Sequence, residues 1–431
     1  MKFVLVPAWL LLAVSLRADQ YEDLFQKAAL HTQNGQYQQA VQDYKAALAL
    51  RPGAPEAINN LAVVYYQLHQ YTEAFDAAAK IWKSHPELKS AFLIAGMSAV
   101  QCNRPREAIP PLQALLANDA SNRDALLALA SAHFALNEFD EAIAVYERAV
   151  NYSQDDATAW YGLAICYERR AEDASAKLAR MPGGGAYSKL MLAHYLQGIG
   201  DNKLAAEAFG GSELDSSVGS PEAKAEYDLA RTLAAKSQQA FERFISLSPQ
   251  SWQAALFLGD AARQQGDLPS ALTHYQDALA KQPDSSGSLL GLGTVYWELG
   301  QFYQANTYLR QTLRANPHAL QAVFELANIA VRRHEDATAI PLLKQYLAGQ
   351  PDALAARADL GRAYLHLHQY ESAIVELKKA AASDESGEIH YQLSLALRKS
   401  GKNAESDAAL EESKALRNAQ LEKQRQRHEA P

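Results

Sequence analysis

The small and apolar residues of this chain recur with a period of 34 residues along most of its length. One position is held by alanine in two phased series, Ala40, Ala74, Ala108 and Ala142, and then Ala271, Ala305, Ala339 and Ala373. A regular period of this length is the signature of a repeat architecture in which one supersecondary unit is copied along the chain. The pattern therefore favours a row of small units over the few compact domains that the length alone would indicate.

Each period predicts two helices. Apolar residues recur at helical spacing on both sides of a short polar or glycine-containing stretch, such as Gly35-Gln36 before Tyr37. Prolines close many of the units, where they would end the second helix: Pro52, Pro86, Pro249, Pro283, Pro317 and Pro351. Small residues at the recurring contact positions let paired helices approach closely. The predicted fold class is all-α, an α-solenoid of antiparallel helix pairs.

This pattern resembles the tetratricopeptide repeat (TPR) family. The stretch from Trp252 to Asp284 carries nearly the whole family signature, at Leu258, Gly259, Gly266, Leu268, Ala271, Tyr275, Ala278 and Pro283. Similar units begin near residues 21, 55, 89, 123, 286, 320 and 354, and a weaker one near 387. The resemblance implies a TPR superhelix in which the first helices of successive units line a concave groove that binds partner peptides.

The register breaks in the middle of the chain, and we predict an irregular helical middle there. A clear first helix begins near residue 157, but the next clean unit starts at 252, and this distance is not a multiple of 34. Breaker sequences lie at 181–185 and 210–221. The predicted order is an N-terminal TPR array (19–170), degenerate TPR-like helices with a flexible loop near 210–220 (171–251), a C-terminal TPR array (252–413) and a charged capping helix and tail (414–431). A small independent domain in the middle is the alternative.

Residues 1–18 have the layout of a secretory signal peptide. Lys2 precedes an apolar run from Phe3 to Leu16, and the small residue Ala18 comes before a polar stretch. The apolar run is shorter than the ~20 residues that span a bilayer. We expect an exported protein, periplasmic or secreted, with an uncleaved N-terminal membrane anchor as the alternative. No later stretch is comparably apolar, so no transmembrane segment is expected in the mature chain.

The net charge of the chain bears on its partner, and the spacing of its two cysteines bears on whether they form a disulfide. The 41 basic and 49 acidic residues give a net charge of −8, which argues against a nucleic-acid partner because such proteins usually carry a basic patch. Cys102 and Cys166 belong to units too far apart for the ~6 Å Cα separation of a disulfide. We predict two unpaired, mostly buried thiols.

The sequence shows no pattern typical of catalysis, and we expect no cofactor, no metal site and no enzyme activity. His366 and His368 are two residues apart on a helix, which turns them ~200° from each other and prevents joint metal binding. The glycines at 183–185 lack the lysine and the strand that a phosphate-binding loop requires. The leading expectation is a protein–protein interaction scaffold of the cell envelope. The alternative is an accessory subunit, or an enzyme with activity in the irregular middle, of an envelope assembly, secretion or polysaccharide export system.

The resemblance assigns groove positions to the first helices of units two to five. The expected partner-binding residues are Asn59, Val63, Tyr66, Leu93, Met97, Val100, Leu127, Ser131, Phe134, Tyr161 and Ile165. This face is more apolar than a solvated surface, which favours a partner that is an apolar extended strand or an amphipathic helix. The alternative is that several of these residues only pack between adjacent units.

The groove residues of the first half also bear on whether the partner is a C-terminal carboxylate, and those of the second half differ in polarity. TPR modules that grip a C-terminal carboxylate use lysine, asparagine and arginine at fixed positions. The corresponding places here hold Phe25, Ala29, Asn60, Ser90 and Ile94, of which only Asn60 matches, so that role is disfavoured. The groove of the second half is predicted to be more polar, with Asp260, Arg263, Trp297, Glu298, Asn328, Asp359 and Arg362.

Overall fold

The fold is all-α, as the periodicity predicts. A computed structural model describes residues 8–198 and 220–429 and contains two compact units, Met1–Pro249 and Gln250–Pro431. Over these described stretches the regular structure consists of α-helices and one short 3-10 helix at Ala381–Ser383, with no strand.

The first unit is a solenoid of helix pairs. In its first four repeats each second helix packs against the first helix of its own repeat and against the first helix of the next repeat. Its described helices are α1 (Ala8–Gln33), α2 (Tyr37–Leu50), α3 (Pro55–Gln67), α4 (Tyr71–Ala78), α5 (Lys89–Gln101), α6 (Pro105–Asn118), α7 (Arg123–Ala135), α8 (Phe139–Tyr152), α9 (Ala157–Arg180), α10 (Gly184–Gly198) and α11 (Pro221–Leu247).

The second unit repeats the same arrangement. Its described helices are α12 (Trp252–Gln264), α13 (Leu268–Lys281), α14 (Ser286–Glu298), α15 (Phe302–Ala315), α16 (Leu320–Arg332), α17 (Asp336–Gly349), α18 (Leu354–His366), α19 (Tyr370–Ala380), α20 (Glu388–Lys399) and α21 (Asn403–Glu429). Helix α21 runs without a break through the boundary predicted at 413/414. It is the second helix of the last pair, and the Ser406 hydroxyl donates to the carbonyl oxygen of Ser394 at 2.8 Å. The predicted capping helix is therefore the continuation of a repeat helix.

The turn between the two helices of a repeat needs a left-handed residue. At this position φ lies between 56° and 78° in nine repeats, at Gly35, His69, Asn103, Asn137, Gly266, Gly300, His334, His368 and Gly401. Glycine adopts this conformation freely, and asparagine and histidine tolerate it better than most residues do. The recurring glycine, histidine or asparagine in the sequence pattern is explained by this backbone requirement.

Small residues on the first helix face large residues on the second. A Cβ added to Gly96 would lie 2.3 Å from Cγ of Leu112, and one added to Gly293 would lie 2.7 Å from Cδ2 of Leu309. Such distances are far inside van der Waals contact, so the side chain of the second helix fills the space that glycine leaves. The prediction that small residues let paired helices touch is confirmed at these positions.

The middle of the chain, predicted as degenerate TPR-like helices over 171–251, is one repeat whose two helices, α9 and α11, are separated by an insertion. The residue at the left-handed turn position is Ala171, which is helical, so α9 continues to Arg180 through the boundary predicted at 170/171. Helix α11 returns antiparallel to α9. The Ser237 hydroxyl donates to the carbonyl oxygen of Ala164 at 3.0 Å, and the ammonium group of Lys177 lies 2.6 Å from the carboxylate of Glu226.

The inserted helix α10 is joined to this repeat by an apolar cluster. Leu178 of α9, Tyr187 of α10 and Tyr227 of α11 are buried together, and the two tyrosine rings lie 5.3 Å apart. This contact ties α10 to the pair α9/α11, which argues against the independent small domain. Most of the flexible loop predicted near 210–220 falls among residues 199–219, which lie outside the described residues.

The N-terminal segment is helical where it is described. Helix α1 runs from Ala8 through Ala18 to Gln33 without interruption, and residues 1–7 lie outside the described residues. Across 8–198 and 220–429, no helix combines the length and the apolar character needed to cross a membrane. Cleavage after residue 18 and export stay predictions.

Candidate partner-binding groove

The predicted groove residues lie on the first helices α3, α5, α7 and α9 of consecutive repeats. Ten of the eleven are half-buried, which is the exposure expected of side chains that line a groove: Val63, Tyr66, Leu93, Met97, Val100, Leu127, Ser131, Phe134, Tyr161 and Ile165. Asn59 is buried.

Five of these residues converge on one concave cavity of about 180 Å³. Tyr66 comes from α3, Met97 and Val100 from α5, and Leu127 and Ser131 from α7. Three successive repeats therefore contribute to one opening, which no single helix could form. Gln101, Asp124 and Ala128 complete its lining.

Asn59 does not line the groove, which corrects its assignment. It accepts a hydrogen bond from the Ser90 hydroxyl at 2.9 Å and donates one to the Asn60 side chain at 3.3 Å. A buried amide needs such partners, since leaving its polar atoms unpaired costs free energy. Its side chain therefore joins α3 to α5 and is not open to a partner.

Two aromatic members of the set also serve internal packing. The Tyr161 ring lies 5.1 Å from that of Phe244 and 6.2 Å from that of Phe241, both on α11. The Phe134 ring lies 5.6 Å from that of Phe139 on the second helix of its own repeat. At these two positions the packing interpretation accounts for much of the apolar surface, whereas Met97, Val100 and Leu127 face the cavity.

Tyr66 stays protonated at neutral pH. Burial is the main cause that raises the pKa of its hydroxyl, and the neighbouring Tyr71 and Asp124 add to it. Its ring packs edge-on against that of Tyr71 at 5.3 Å. The residue therefore offers the cavity an apolar ring and a neutral hydroxyl.

A second cavity of about 570 Å³ lies at the first two repeats. Its lining includes Tyr21 and Phe25 of α1, the loop Pro52-Gly53 and the carboxylates of Glu22 and Glu56. The guanidinium group of Arg51 lies 4.2 Å from the Tyr21 ring centroid. The sequence did not predict this cavity, because the loop residues 51–54 that close it do not belong to the helical pattern from which the groove was predicted.

The polar side chains predicted for the groove of the second unit are paired with one another. The Tyr275 hydroxyl donates to Asp260 at 2.7 Å, and Arg263 lies 3.1 Å from Glu298. Arg362 lies 3.1 Å from Asp359. Burial raises the pKa of both Asp260 and Asp359.

The two other predicted members of that groove, Asn328 and Trp297, make contacts of their own. The Asn328 side chain donates to the carbonyl oxygen of Phe324 at 3.2 Å. The guanidinium group of Arg332 lies 5.9 Å from the Trp297 ring centroid. These positions are polar, as predicted, but most of their side chains form hydrogen bonds or ion pairs within the unit.

The described residues offer no cluster of three or more histidine, cysteine or carboxylate side chains that could hold a metal ion. His366 faces Asp336 at 3.1 Å, while His368 is hydrogen-bonded to the Tyr370 hydroxyl at 3.1 Å, so the two rings have different partners. Both cysteines are free, as predicted; Cys102 is half-buried, Cys166 is buried, and burial raises the pKa of the Cys166 thiol to about 12.

Profiles of tetratricopeptide repeats match more than half of the chain. One profile described as a tetratricopeptide repeat matches residues 95–156, 136–180, 221–286 and 290–353. Related profiles match 29–68, 56–85 and 329–398. The matches include α11 but leave most of the insertion uncovered, in agreement with the register break.

Known proteins share parts of this pattern. Photosystem I assembly protein Ycf3 of Synechococcus elongatus is 38% identical over 69 residues, which are 14% of this chain and 40% of that protein. The chain thus spans less than half the length of this curated relative. Among solved structures, a tetratricopeptide repeat protein from Parabacteroides merdae is 13% identical, covering 69% of this chain and 94% of that one with a TM-score of 0.47. YrrB, described as a TPR protein with an unusual peptide-binding site, is 16% identical over 42% of this chain and 93% of its own, with a TM-score of 0.39.

Proposed function

The chain belongs to the tetratricopeptide repeat family, and on that premise we propose that it is a non-enzymatic interaction scaffold of the cell envelope that holds a partner in the groove of its first unit. Repeats of this family imply protein–protein interaction. The observation that carries the choice of site is the convergence of Tyr66, Met97, Val100 and Leu127 on one cavity.

The chemistry of this cavity suits a protein partner. Its apolar members come from three repeats and stay half-buried, so apolar area remains to be covered on binding. Met97 adds a flexible, polarizable side chain that adapts to different contact shapes. Tyr66 supplies an aromatic anchor with a polar end, a residue type that is enriched at interfaces.

The envelope assignment is supported by the signal-peptide layout of residues 1–18. The name of the curated relative, an assembly protein, accords with a scaffold role for the shared repeats. The location is tested by fractionating cells that express the full chain with a C-terminal tag and determining the N-terminus of the product. We expect an envelope fraction that begins at Asp19; a cytoplasmic product that retains Lys2 contradicts the assignment.

The groove is tested by partner capture with the tagged full chain. Met97→Ala combined with Leu127→Ala removes apolar contact area from the cavity without adding charge. Leu30→Ala combined with Leu395→Ala is the matched control, because both leucines are exposed and line neither cavity. We expect the groove variant to lose about tenfold in affinity for its captured partner, since truncating central apolar contacts costs about 1 kcal/mol or more. Equal capture by the groove variant and the parent refutes this site.

A further inference from the structure

Three carboxylates stand at the same position of the repeat along the first unit. Glu22, Glu56 and Asp124 are each the second residue of a repeat, spaced by one or two periods, and all three are exposed. Each is beside an apolar opening. Glu22 and Glu56 line the cavity that contains Phe25, and Asp124 lines the cavity that contains Leu127.

The linings of the two cavities hold these three carboxylates and one cation. The cation is Arg51, which lies over the Tyr21 ring in the cavity that Glu22 and Glu56 also line. Arg123 lies 2.6 Å from the buried carboxylate of Asp156 and 3.1 Å from Asp124, so its charge is shared between the two. Glu56 has no ion pair within the described part of the chain. The edge of the groove therefore keeps a net negative charge next to its apolar floor.

We propose that the occupant of this groove is a cationic amphipathic helix of another protein. Its apolar side chains would enter the two cavities, and its lysines or arginines would face Glu22, Glu56 and Asp124. An amphipathic helix carries an apolar stripe with polar residues beside it, which matches a groove whose apolar floor is flanked by carboxylates. This inference rests on the proposed function and adds the charge and shape of the partner to it.

The same charges disfavour other occupants. An acidic peptide, a C-terminal carboxylate or a nucleic acid would bring like charges to the edge of the groove, which costs free energy. A purely apolar strand would leave the carboxylates without a partner. Charge complementarity thus selects a basic segment.

The test measures binding of labelled peptides to the full chain by fluorescence anisotropy. The probe is a leucine–lysine peptide of about 18 residues with its leucines on one helical face. One comparison peptide has glutamine in place of every lysine, and another has the same composition in scrambled order. We expect the amphipathic lysine peptide to bind most tightly, and its advantage over the glutamine peptide to shrink at ~1 M salt because exposed charge pairs are screened.

Variants of the protein test whether the carboxylates at the edge of the groove contribute to binding. Glu56→Gln with Asp124→Asn is expected to weaken the lysine peptide about three- to tenfold and to leave the glutamine peptide unchanged. Glu73→Gln with Glu141→Gln is the control, because both residues are exposed carboxylates on the second helices α4 and α8. This control is expected to bind like the parent, and thermal unfolding verifies that each variant is folded.

These experiments distinguish failure of the cationic amphipathic helix as the partner from failure of the groove as the binding site. Equal binding of lysine and glutamine peptides, equal binding of the scrambled peptide, or no effect of Glu56→Gln with Asp124→Asn overturns the cationic amphipathic helix. If Met97→Ala with Leu127→Ala still weakens all peptides in that case, the groove itself stands. If that pair changes nothing either, the proposed function fails together with this inference.

Discussion

The hydroxyl of Ser237 donates a hydrogen bond to the carbonyl oxygen of Ala164 at 3.0 Å across 73 residues of chain. Ser237 is buried and stands where the second helices of other repeats carry a buried alanine, such as Ala74 or Ala142. Phe241, one turn later, is buried against the same first helix. The contact identifies α11 as the second helix of the repeat that α9 begins, so the lost register is an insertion within one repeat.

Ser237→Leu tests this pairing. A leucine at a position that closely faces α9 overfills the helix contact, and overpacking of this kind costs about 1–3 kcal/mol. Ser246→Leu on the same helix is the control, because Ser246 is exposed. Thermal unfolding followed by circular dichroism is expected to show a lower midpoint for Ser237→Leu only. Identical midpoints for the two variants contradict the assignment.

The repeat pattern predicts most helix pairs because each pair is encoded within its own 34 residues. The insertion escapes it because the contact between Ala164 and Ser237 joins segments whose separation no local rule fixes. One signal was present in the sequence. Ala171 occupies the turn position where the other repeats carry glycine, histidine or asparagine, and alanine favours continuation of the helix.

The left-handed turn gives a second prediction, at His334, where φ is 56°. His334→Gly is expected to be more stable than His334→Ala by about 1 kcal/mol, because a side chain with a Cβ is strained in this conformation. At Thr338, which lies in α17, the order of the same two substitutions is expected to reverse, since glycine costs about 1 kcal/mol relative to alanine within a helix. Chemical denaturation of the four variants checks both orders, and the same order at both sites excludes the backbone explanation.

A third prediction concerns Glu325, which is buried in the second unit. Burial raises the pKa of its carboxyl, and hydrogen bonds from Gln321 and from Thr294 at 2.9 Å offset this only in part. A carboxyl whose folded pKa exceeds its unfolded value stabilises the fold when protonated, and this contribution is lost as pH rises through the folded pKa. Glu325→Gln removes the titration. The free energy of unfolding of the variant relative to the parent is therefore expected to increase from about pH 4 to about pH 8. A difference that does not depend on pH contradicts the role of burial.

The lining of the cavity formed by α3, α5 and α7 was predictable to the extent that helical spacing defines one face of a first helix. That rule placed Met97, Val100 and Leu127 at the cavity. It failed at Asn59, where a hydrogen bond to Ser90 turns the side chain into the contact between helices, and in part at Tyr161, where the insertion brings Phe244 against the ring. Asp124 was missed because a carboxylate in the first turn of a helix has an ordinary local reason to be there.

Site-specific photo-crosslinking from Met97 in the full chain, expressed in cells, tests the central claim most directly. A photoreactive residue at Met97 faces the cavity, while the same residue at Glu73, exposed on α4, serves as the control position. We predict that Met97 crosslinks to one discrete protein, that Glu73 does not, and that the adduct disappears when Leu127 is also changed to alanine. An adduct of equal yield from Glu73, or no adduct from Met97 under conditions in which the partner is captured, would show that the partner binds elsewhere.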